Sequence, residues 1–380
     1  MKKKLLFVIT QFYKGGAEVA LLNLFQSLSP DKYEVDFLIF DQMILQNAQS
    51  LIPQIPAWIN VCNAAEKEGH LAIINKILFK IWRKLTKHQL YRFSAYRFVK
   101  NKEYDMAFSY GEWMSPEFIA KKVKAKQKAI WIHTDIDKAK YVDEKILLGY
   151  DDYYNKYIFV SELSKQSAEN RFPIVRNRSH VVHNMCNDKS IIEQSKEDVS
   201  LNLPKDRPIL LTVANLRTEK NYIRQVEVMK ILKDRGFDLL WLNIGSTANT
   251  FLYNQVKNLI EMYGLEKDFL LLGVDQNPYK YMSKVDAVAV LSDFESWSLV
   301  ITEAKLVGTP VIATKTSGAI EQLVDNETGL LTDFTVTHIA DKIQGYLEDK
   351  ELQKKIRYNL NNFTTNQKVM SEFNEVLGEN

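Results

Sequence analysis

Short apolar segments alternate with amphipathic segments along almost the whole of this chain. The apolar segments are rich in Val, Ile, Leu and Phe and often lack polar alternation, which is typical of strands buried on both faces. The amphipathic segments have the spacing of helices that cover one face of a sheet. Strands joined by crossover helices pair in parallel, so the sequence predicts an α/β fold built on parallel sheets.

The same pattern runs through both halves of the sequence. In the first half, strands are predicted at Leu5–Thr10, Tyr33–Phe40, Met106–Tyr110, Ala129–His133, Ile158–Val160 and His180–Val182, and helices at Ala17–Leu28, Pro116–Val123 and Glu162–Arg171. In the second half, strands are predicted at Pro208–Leu216, Phe237–Ile244, Phe269–Gly273, Ala287–Leu291 and Pro310–Ala313, and helices at Tyr222–Arg235, Phe251–Tyr263, Tyr279–Ser283 and Leu299–Val307.

A chain of 380 residues is long enough for two domains. The segment Asp188–Arg207 between the halves is polar, charged and nearly free of aromatic residues. We therefore predict two doubly wound, Rossmann-like domains at 1–188 and 189–364. Ligands bind beyond the carboxyl ends of strands in open parallel sheets, so we expect the two domains to face each other across a cleft.

The composition limits the classes of function. Hydrophobic residues at 46%, charged residues at 26% and a net charge of +3 describe an ordinary globular protein without a general attraction to nucleic acid. Cys62 and Cys186 are too few for a disulfide framework, and no apolar run has the ~18–20 residues that span a bilayer. The start resembles a signal peptide, but its apolar stretch Leu5–Thr10 is short and lacks a cleavage site. We expect a cytoplasmic protein, either free or bound to the inner face of the plasma membrane.

The first strand-to-helix turn contains Gly15 and Gly16. Two glycines let backbone N–H groups at a helix N terminus approach an anion, although a purely structural turn explains them equally well. Neither G-x-G-x-x-G nor G-x-x-x-x-G-K-[ST] occurs in the sequence, which argues against a nicotinamide dehydrogenase and a P-loop kinase.

A later turn, Val213–Asn221, places Arg217 and Lys220 just ahead of a predicted helix. Charge-assisted hydrogen bonds from these two cations would suit a diphosphate. The structural alternative is a solvated loop, in which Lys and Arg are common.

The most specific turn follows the strand Ala287–Leu291 and contains Glu295 in the turn and Glu303 early in the next helix. The amides of Ser298 and Leu299 would be unpaired donors at the helix start, able to bind phosphate while the carboxylates accept bonds from sugar hydroxyls. A carboxylate pair also suggests a glycoside hydrolase, but such an enzyme does not need phosphate-type donors between its acids. An acidic helix start stabilised by the helix dipole is the structural alternative.

His133 ends a predicted buried strand. A neutral imidazole there could hydrogen-bond a hydroxyl or exchange a proton, and an ordinary loop-edge histidine is the alternative. His180, His183 and Cys186 follow one another at intervals of three. In an extended segment these side chains would alternate between faces, so we predict no metal site.

Together these places resemble the retaining glycosyltransferases of family 4, which have the GT-B fold. The resemblance covers most of the chain, and its most specific part is the E-x7-E signature of Glu295 and Glu303. The other matching segments are Gly15–Glu18, His133, Val160–Glu162, Val182–Asn184, Lys220, Ala304, Gly308–Val311, Gly318, Glu321 and Thr328–Leu330. The segment Asn277–Tyr279 is similar to the branch that builds bacterial surface polysaccharides.

The resemblance implies a nucleotide-sugar donor, UDP- or GDP-linked, that lies across the second domain, and a polysaccharide or lipid-linked acceptor. No cofactor or metal is implied. Glu303 would bind the ribose hydroxyls, Glu295 the transferred sugar, and His133 a hydroxyl of that sugar. The groups implied to stabilise the leaving diphosphate are Lys220, Arg217 and the amides of Ser298, Leu299, Gly15 and Gly16. Anomeric configuration would be retained, and the last helix, about 365–380, would pack back on the first domain.

The sequence departs from the family pattern at two places. Asn215 stands where many members have a phosphate-binding arginine, so we hypothesise that Arg217 replaces it. Ser296 and Trp297 replace the common Gly-Phe after Glu295. The bulk of Trp297 affects which donor sugar fits, so we do not assign a donor sugar from the family resemblance.

Residues 70–102 contain nine Lys/Arg and no Asp or Glu. On a helical wheel, Lys76, Lys80, Arg83, Lys84 and Lys87 fall opposite Ile74, Leu78, Ile81, Trp82 and Leu85. Such a helix can lie on an anionic membrane, and a helix packed on the first domain with a solvated lysine face is the alternative.

Two other functions remain open from the sequence. One is a GT-B sugar-nucleotide epimerase or phosphorylase, and the other is a catalytically weak nucleotide-sugar-binding subunit that supports a partner. The fold alone does not distinguish them, because function resides in the site.

Overall fold

The computed structural model describes residues 2–42, 49–67, 71–86, 92–114, 116–137, 139, 142 and 144–379. The chain divides into two compact units. The first unit consists of Met1–Met185 together with Lys368–Asn380, and the second unit of Cys186–Gln367.

The first unit is built on a parallel sheet with the strand order β3-β2-β1-β4-β5-β6-β7 in its described part. Its strands are β1 Lys3–Ile9, β2 Tyr33–Ile39, β3 Asn60–Asn63, β4 Glu103–Tyr110, β5 Lys124–Ile132, β6 Lys156–Phe159 and β7 Ser179–Val181. Its helices are α1 Gly16–Ser27, α2 Ala64–Lys67, α3 Leu71–Thr86, α4 Phe93–Val99, α5 Glu117–Lys122, α6 Glu144–Leu148 and α7 Glu162–Arg171. The strand order reverses between β1 and β4, which is where ligands bind in such sheets.

The second unit repeats this plan with the strand order β10-β9-β8-β11-β12-β13, again all parallel. Its strands are β8 Ile209–Val213, β9 Leu240–Ile244, β10 Phe269–Gly273, β11 Ala287–Val290, β12 Val311–Thr314 and β13 Leu330–Thr332. Its helices are α8 Asp188–Gln194, α9 Tyr222–Asp234, α10 Thr250–Met262, α11 Tyr279–Met282, α12 Leu299–Leu306, α13 Ser317–Gln322, α14 Val336–Glu348 and α15 Lys350–Asn359. A final helix, α16 Asn366–Val376, carries the chain back into the first unit.

The central strands are apolar on both faces because helices cover both sides of each sheet. All residues of β1 from Leu5 to Ile9 are buried, and so are all residues of β11 and β12. This confirms the predicted fold class of two doubly wound parallel sheets.

Two segments differ from their sequence interpretation. The strand β3 was not predicted, because its sequence Asn-Val-Cys-Asn lacks an apolar run, although it pairs with β2. The segment interpreted as a linker begins with the helix α8, in which the Asn187 side chain accepts from the Ser190 N–H. Among the described helices, none combines the length and the apolar character needed to cross a membrane.

Candidate active site

In the second unit, the loops that follow β8 and β11 are tied to each other. The backbone N–H of Asp293 donates to the carbonyl of Glu219 at 2.8 Å. Asn221 has a left-handed backbone with φ of 45°, and its side chain both caps α9 and donates to Asp293. β8 and β11 are neighbours in a parallel sheet, so their carboxyl ends, and the loops that follow, lie side by side.

The two loops bring Lys220 and Glu295 into an ion pair between the ammonium and Oε1. The Ser292 hydroxyl donates to the same carboxylate oxygen at 2.8 Å. A small cavity in this unit is lined by Thr212, Lys220, Gln225, Ser292, Glu295 and Ser298, among others. The site thus combines a cation, a carboxylate and a helix start.

The N terminus of α12 opens beside this pair. Ser298 is the residue before the helix and is 4% exposed, and its side chain makes no capping hydrogen bond to the first turn. The first N–H groups of a helix have no partner inside it, and the helix dipole favours an anion there. This helix start is suited to bind phosphate oxygens.

Gly318 fixes the turn that leads into α12. Its N–H donates to the carbonyl of Glu295 at 2.8 Å. A Cβ at this position would lie 2.8 Å from the carbonyl carbon and oxygen of Ser296. Only glycine allows α13 to approach the turn this closely.

Glu303 lies further along α12 and is 8% exposed. Its Oε1 accepts a hydrogen bond from the Tyr279 hydroxyl at 3.1 Å. The Tyr279 hydroxyl therefore orients the buried carboxylate of Glu303. The charge of this carboxylate also affects Cys186, because burial, followed by the charges of Glu303 and Asp188, raises the pKa of the Cys186 thiol.

Arg217 does not lie among the side chains that line the cavity. Its side chain is 63% exposed, and the guanidinium is 3.9 Å from Glu219. Asn215, which stands at the position of the family arginine, accepts a hydrogen bond from the Ser246 N–H at 2.9 Å. Lys220 is thus the predicted cation that the structure places in the cavity, while Arg217 points to solvent.

In the first unit, Gly15 and Gly16 stand at the N terminus of α1, as the sequence indicates. The carboxylate of Glu18 lies over Gly15, where a Cβ would be 2.4 Å from Oε2. Apart from its chain neighbours and the backbone of its own helix, no heavy atom of the described residues lies within 4 Å of the place where a Cβ of Gly16 would be. Gly16 therefore offers open backbone, whereas a carboxylate already covers Gly15.

His133 follows β5 and lies among aromatic rings. Its ring centroid is 4.4 Å from Tyr110 and 5.8 Å from Trp113. Both ring nitrogens are buried without a hydrogen-bond partner among the described residues. Burial lowers the pKa of His133 to about 3, while the Asn184 side chain acts in the opposite direction. The imidazole is therefore neutral at physiological pH.

Sequence reasoning missed three polar side chains of these sites. Glu112 follows β4, is 8% exposed, and accepts the His133 N–H at 2.9 Å. The sequence pattern singles out neither Ser292 nor Tyr279, although each donates a hydrogen bond to one of the predicted carboxylates. His183, considered as a possible metal ligand, instead contacts Glu372 through Nδ1 at 2.7 Å.

Residues 193–363 match the family model of the glycosyl transferases group 1. The second unit is a group 1 glycosyltransferase domain. The Lys220–Glu295 pair and the α12 helix start described above all lie within this domain.

Curated relatives match about half of the chain. The chain is 32% identical over 208 residues to N-acetylgalactosamine-N,N'-diacetylbacillosaminyl-diphospho-undecaprenol 4-alpha-N-acetylgalactosaminyltransferase of Campylobacter jejuni, a match that covers 53% of this chain and 54% of the relative. It is 26% identical to the capsular polysaccharide biosynthesis glycosyltransferase CapM of Staphylococcus aureus, which covers 41% of each protein. The chain thus spans about half the length, or less, of these curated relatives.

Solved structures match the whole chain in fold. The structure of Anabaena HepE in complex with UDP and glucose superposes with a TM-score of 0.72 at 17% identity, and covers 99% of both chains. S. aureus TarM in complex with UDP and other ligands gives a TM-score of 0.71 at 14% identity, and covers 99% of this chain and 100% of that one. The chain therefore has the GT-B fold of these solved structures.

Proposed function

We propose that this protein is a glycosyltransferase that moves a sugar from a nucleotide-sugar donor to a polysaccharide or lipid-linked acceptor. The observation that carries the proposal is the meeting of Lys220, Glu295 and the start of α12 at one cavity of the group 1 domain. The names of the relatives from C. jejuni and S. aureus support the class of acceptor.

The donor diphosphate would bind at the α12 N terminus, with the N–H groups of Ser298 and Leu299 and the ammonium of Lys220 as its partners. These groups are fixed before the reaction and would stabilise the charge that grows as the sugar departs. In the structure Lys220 is paired with Glu295, so the diphosphate competes with this carboxylate for the ammonium. We assign Arg217 only an outer electrostatic contribution, because its side chain is exposed.

The rest of the donor would be held by carboxylates and by an imidazole. Glu303, oriented by the Tyr279 hydroxyl, would accept bonds from the ribose hydroxyls, and Glu295 would contact the transferred sugar. His133 stays neutral and has both ring nitrogens unpartnered among the described residues, so it can exchange hydrogen bonds with a sugar hydroxyl. Gly16 would add a backbone donor.

We propose that the reaction retains anomeric configuration and needs no metal ion. The acceptor hydroxyl would attack from the side of the leaving diphosphate, whose oxygen takes the proton. Lys220 and the helix dipole would supply the positive charge at the leaving group. A UDP-linked donor is favoured over a GDP-linked one, because the solved relatives HepE and TarM are described in complex with UDP.

A donor assay with matched lysine variants tests the proposal. UDP-sugars and GDP-sugars are incubated with the protein in EDTA, and slow release of the nucleotide is measured. We expect nucleotide release from either the UDP-sugars or the GDP-sugars. The rate of this release should be at least 100-fold lower in Lys220→Met. Lys230→Met is the control, because Lys230 pairs with Asp234 on the outer face of α9.

A second candidate function is a nucleotide-sugar-binding subunit without turnover. Its supporting observation is the Lys220–Glu295 pair, because the carboxylate neutralises the ammonium that would otherwise stabilise a leaving group. If a nucleotide sugar raises the thermal stability of the protein but no nucleotide is released with any acceptor of a panel, the binding subunit is favoured over the transferase.

We further propose that α3 binds an anionic membrane. Its described side chains include six large apolar ones between 45% and 77% exposed, namely Ile74, Ile77, Leu78, Ile81, Trp82 and Leu85. They recur at the spacing of one helix face, and the exposed lysines Lys80 and Lys84 accompany them. An exposed apolar face with basic flanks fits the interface of anionic lipids and would place the enzyme on the cytoplasmic leaflet. Residues 70 and 87–91 of the predicted basic segment, including Lys87, lie outside the described residues.

Vesicle sedimentation tests the membrane proposal. We expect binding to phosphatidylglycerol vesicles that weakens with salt, and roughly tenfold weaker binding by Lys80→Glu/Lys84→Glu. The replacement Leu78→Asp/Trp82→Asp should abolish binding, whereas Phe251→Asp, at an exposed position of α10, should not. Equal binding to neutral phosphatidylcholine vesicles, or none at low salt, would refute the proposal.

A further inference from the structure

The carboxyl end of β4 carries an exposed tryptophan held in a fixed position. Trp113 is 40% exposed and lies directly over Gly111. A Cβ at Gly111 would be 2.4 Å from Cε2 and Cζ2 of the indole. Gly111 also has a φ of 113°, which favours glycine. The indole therefore rests on a surface that only glycine provides.

The backbone around Trp113 is anchored on both sides. The Gly111 N–H donates to the carbonyl of Trp131 at 2.9 Å, and the Met114 N–H donates to the carbonyl of Gly111 at 3.3 Å. Between them, Glu112 turns inward and accepts the His133 N–H at 2.9 Å. This support orders the exposed Trp113 side chain before a ligand binds. Binding then costs less conformational entropy, because the site is already ordered.

Hydrogen-bonding groups without partners lie beside this indole. The ring of His133 is 5.8 Å from it between centroids, at an interplanar angle of 36°. Within the described part of the chain, His133 Nδ1 and Nε2 are buried without hydrogen-bond partners, and the Asn184 side chain lies close enough to the ring to influence its pKa. Buried polar atoms of this kind are normally satisfied, so a group from a ligand is expected to pair with them.

The exposed indole of Trp113 and the polar atoms of His133 together suit a sugar ring. A pyranose ring presents C–H bonds on one face and hydroxyls at its edge. An aromatic face beside convergent polar groups is suited to such a ligand. The place is also the strand-order reversal between β1 and β4, where open parallel sheets bind ligands.

We propose that Trp113 is the stacking platform for the acceptor sugar. The proposal rests on the proposed function, in which His133 contacts the transferred sugar. The sugar next to it is then the one that receives the transfer. Trp113 touches the acceptor and sets its orientation, and Glu112 is a positioning residue that acts through the His133 backbone.

The test uses direct binding, separately from turnover. Methyl glycosides of glucose, galactose, N-acetylglucosamine and N-acetylgalactosamine are the probes, and saturation-transfer NMR reports which sugar protons contact the protein. We expect at least one glycoside to bind through the C–H protons of one ring face. Trp113→Ala should reduce the signal at least fivefold, and Trp113→Phe should retain most of it. Phe93→Ala, at a side chain that is 72% exposed on α4, is the control.

Each outcome decides the proposal. An unchanged signal in Trp113→Ala, or no signal from the wild-type protein with any of the four glycosides, overturns it. Thermal stabilisation by UDP, measured on the same Trp113→Ala sample, reports on the donor site. If UDP stabilises this variant while the glycoside signal is lost, the platform is supported independently of the donor site. If UDP and GDP fail to stabilise even the wild-type protein, the proposed function fails instead.

Discussion

At the scale of single residues, His133 shows how burial selects a protonation state. Its two ring nitrogens are buried without a hydrogen-bond partner among the described residues, and the opposing influence of the Asn184 side chain is smaller than the cost of removing water from a charged imidazole. Burial therefore lowers the pKa of His133 from 6.5 to about 3. The residue is suited to hydrogen bonding rather than to electrostatic stabilisation.

This pKa predicts how stability depends on pH. Above pH 6.5 the imidazole is neutral in both the folded and the unfolded chain. As the pH falls from 6.5 towards 3, the unfolded chain binds a proton that the folded chain excludes, so stability decreases. At pH 5 the expected loss is about 2 kcal/mol. Thermal unfolding of His133→Gln between pH 7.5 and 5 should show a smaller decrease than that of the wild type.

The control is His338→Gln, because the His338 side chain is 40% exposed. Comparison of the two variants separates the effect of the buried ring from the general effect of replacing a histidine. Parallel curves for the wild type and His133→Gln would contradict a buried neutral imidazole.

Glu295 gives a second prediction at this scale. In the free protein its carboxylate holds the ammonium of Lys220, which the diphosphate must also engage. Glu295→Gln should remove this competition and strengthen UDP binding by roughly 2- to 5-fold. Turnover should nevertheless fall, since Glu295 is assigned to the transferred sugar. Isothermal titration measures the first effect and donor hydrolysis the second; weaker UDP binding in this variant would show that the pair does not compete with the donor.

At the scale of elements, the contact between α13 and the turn before α12 sets the phosphate-binding amides. Gly318→Ala would place a methyl group 2.8 Å from the Ser296 carbonyl, so the turn must move. We expect a destabilisation of about 1–3 kcal/mol and at least a tenfold loss of donor affinity. Denaturant unfolding and titration with UDP measure these two effects.

Gly345 in α14 offers a matched control, because no heavy atom of the described residues outside its own helix backbone and chain neighbours lies within 4 Å of its Cβ position. Gly345→Ala should stabilise the helix by about 0.5–1 kcal/mol and leave donor affinity unchanged. Equal effects of the two replacements would mean that the close approach of α13 is unimportant.

Elements also show what the sequence can predict. The bounds of α7 and β10 are the predicted ones, since Ser161 caps the helix and Gly273 ends the strand. The edge strand β3 escaped detection because pairing with β2, rather than its own residues, makes it a strand. The site residues show the same difference between features visible in the sequence and features that depend on the fold. The loop with Glu295 was recognisable by spacing, whereas Glu112 becomes informative only when β4 and β5 bring it to the His133 backbone.

At the scale of the whole molecule, the chain leaves the first unit at Met185 and returns to it at Lys368. The returning segment packs Phe373 into an aromatic cluster with Phe7, Phe108 and Trp131, at centroid distances of 5.8 to 6.4 Å. Ion pairing of Lys3 with Glu379 at 2.9 Å adds a second attachment. Sequence order alone would assign this segment to the second unit, whereas the family resemblance implies that it packs on the first domain, and its long-range contacts lie in the first unit.

The return of the chain predicts a destabilisation confined to one unit. Phe373 is fully buried, so Phe373→Ala leaves a cavity among aromatic rings and should cost about 3–5 kcal/mol. Hydrogen exchange followed by mass spectrometry should show faster exchange in β1, β4 and β5, which carry the other rings of the cluster. Peptides of β8 and β11 should keep their protection, because they belong to the core of the second unit. Glu375→Ala, at an exposed position of the same helix, should change neither set. Equal acceleration in both units would instead mean that the protein unfolds as one cooperative body.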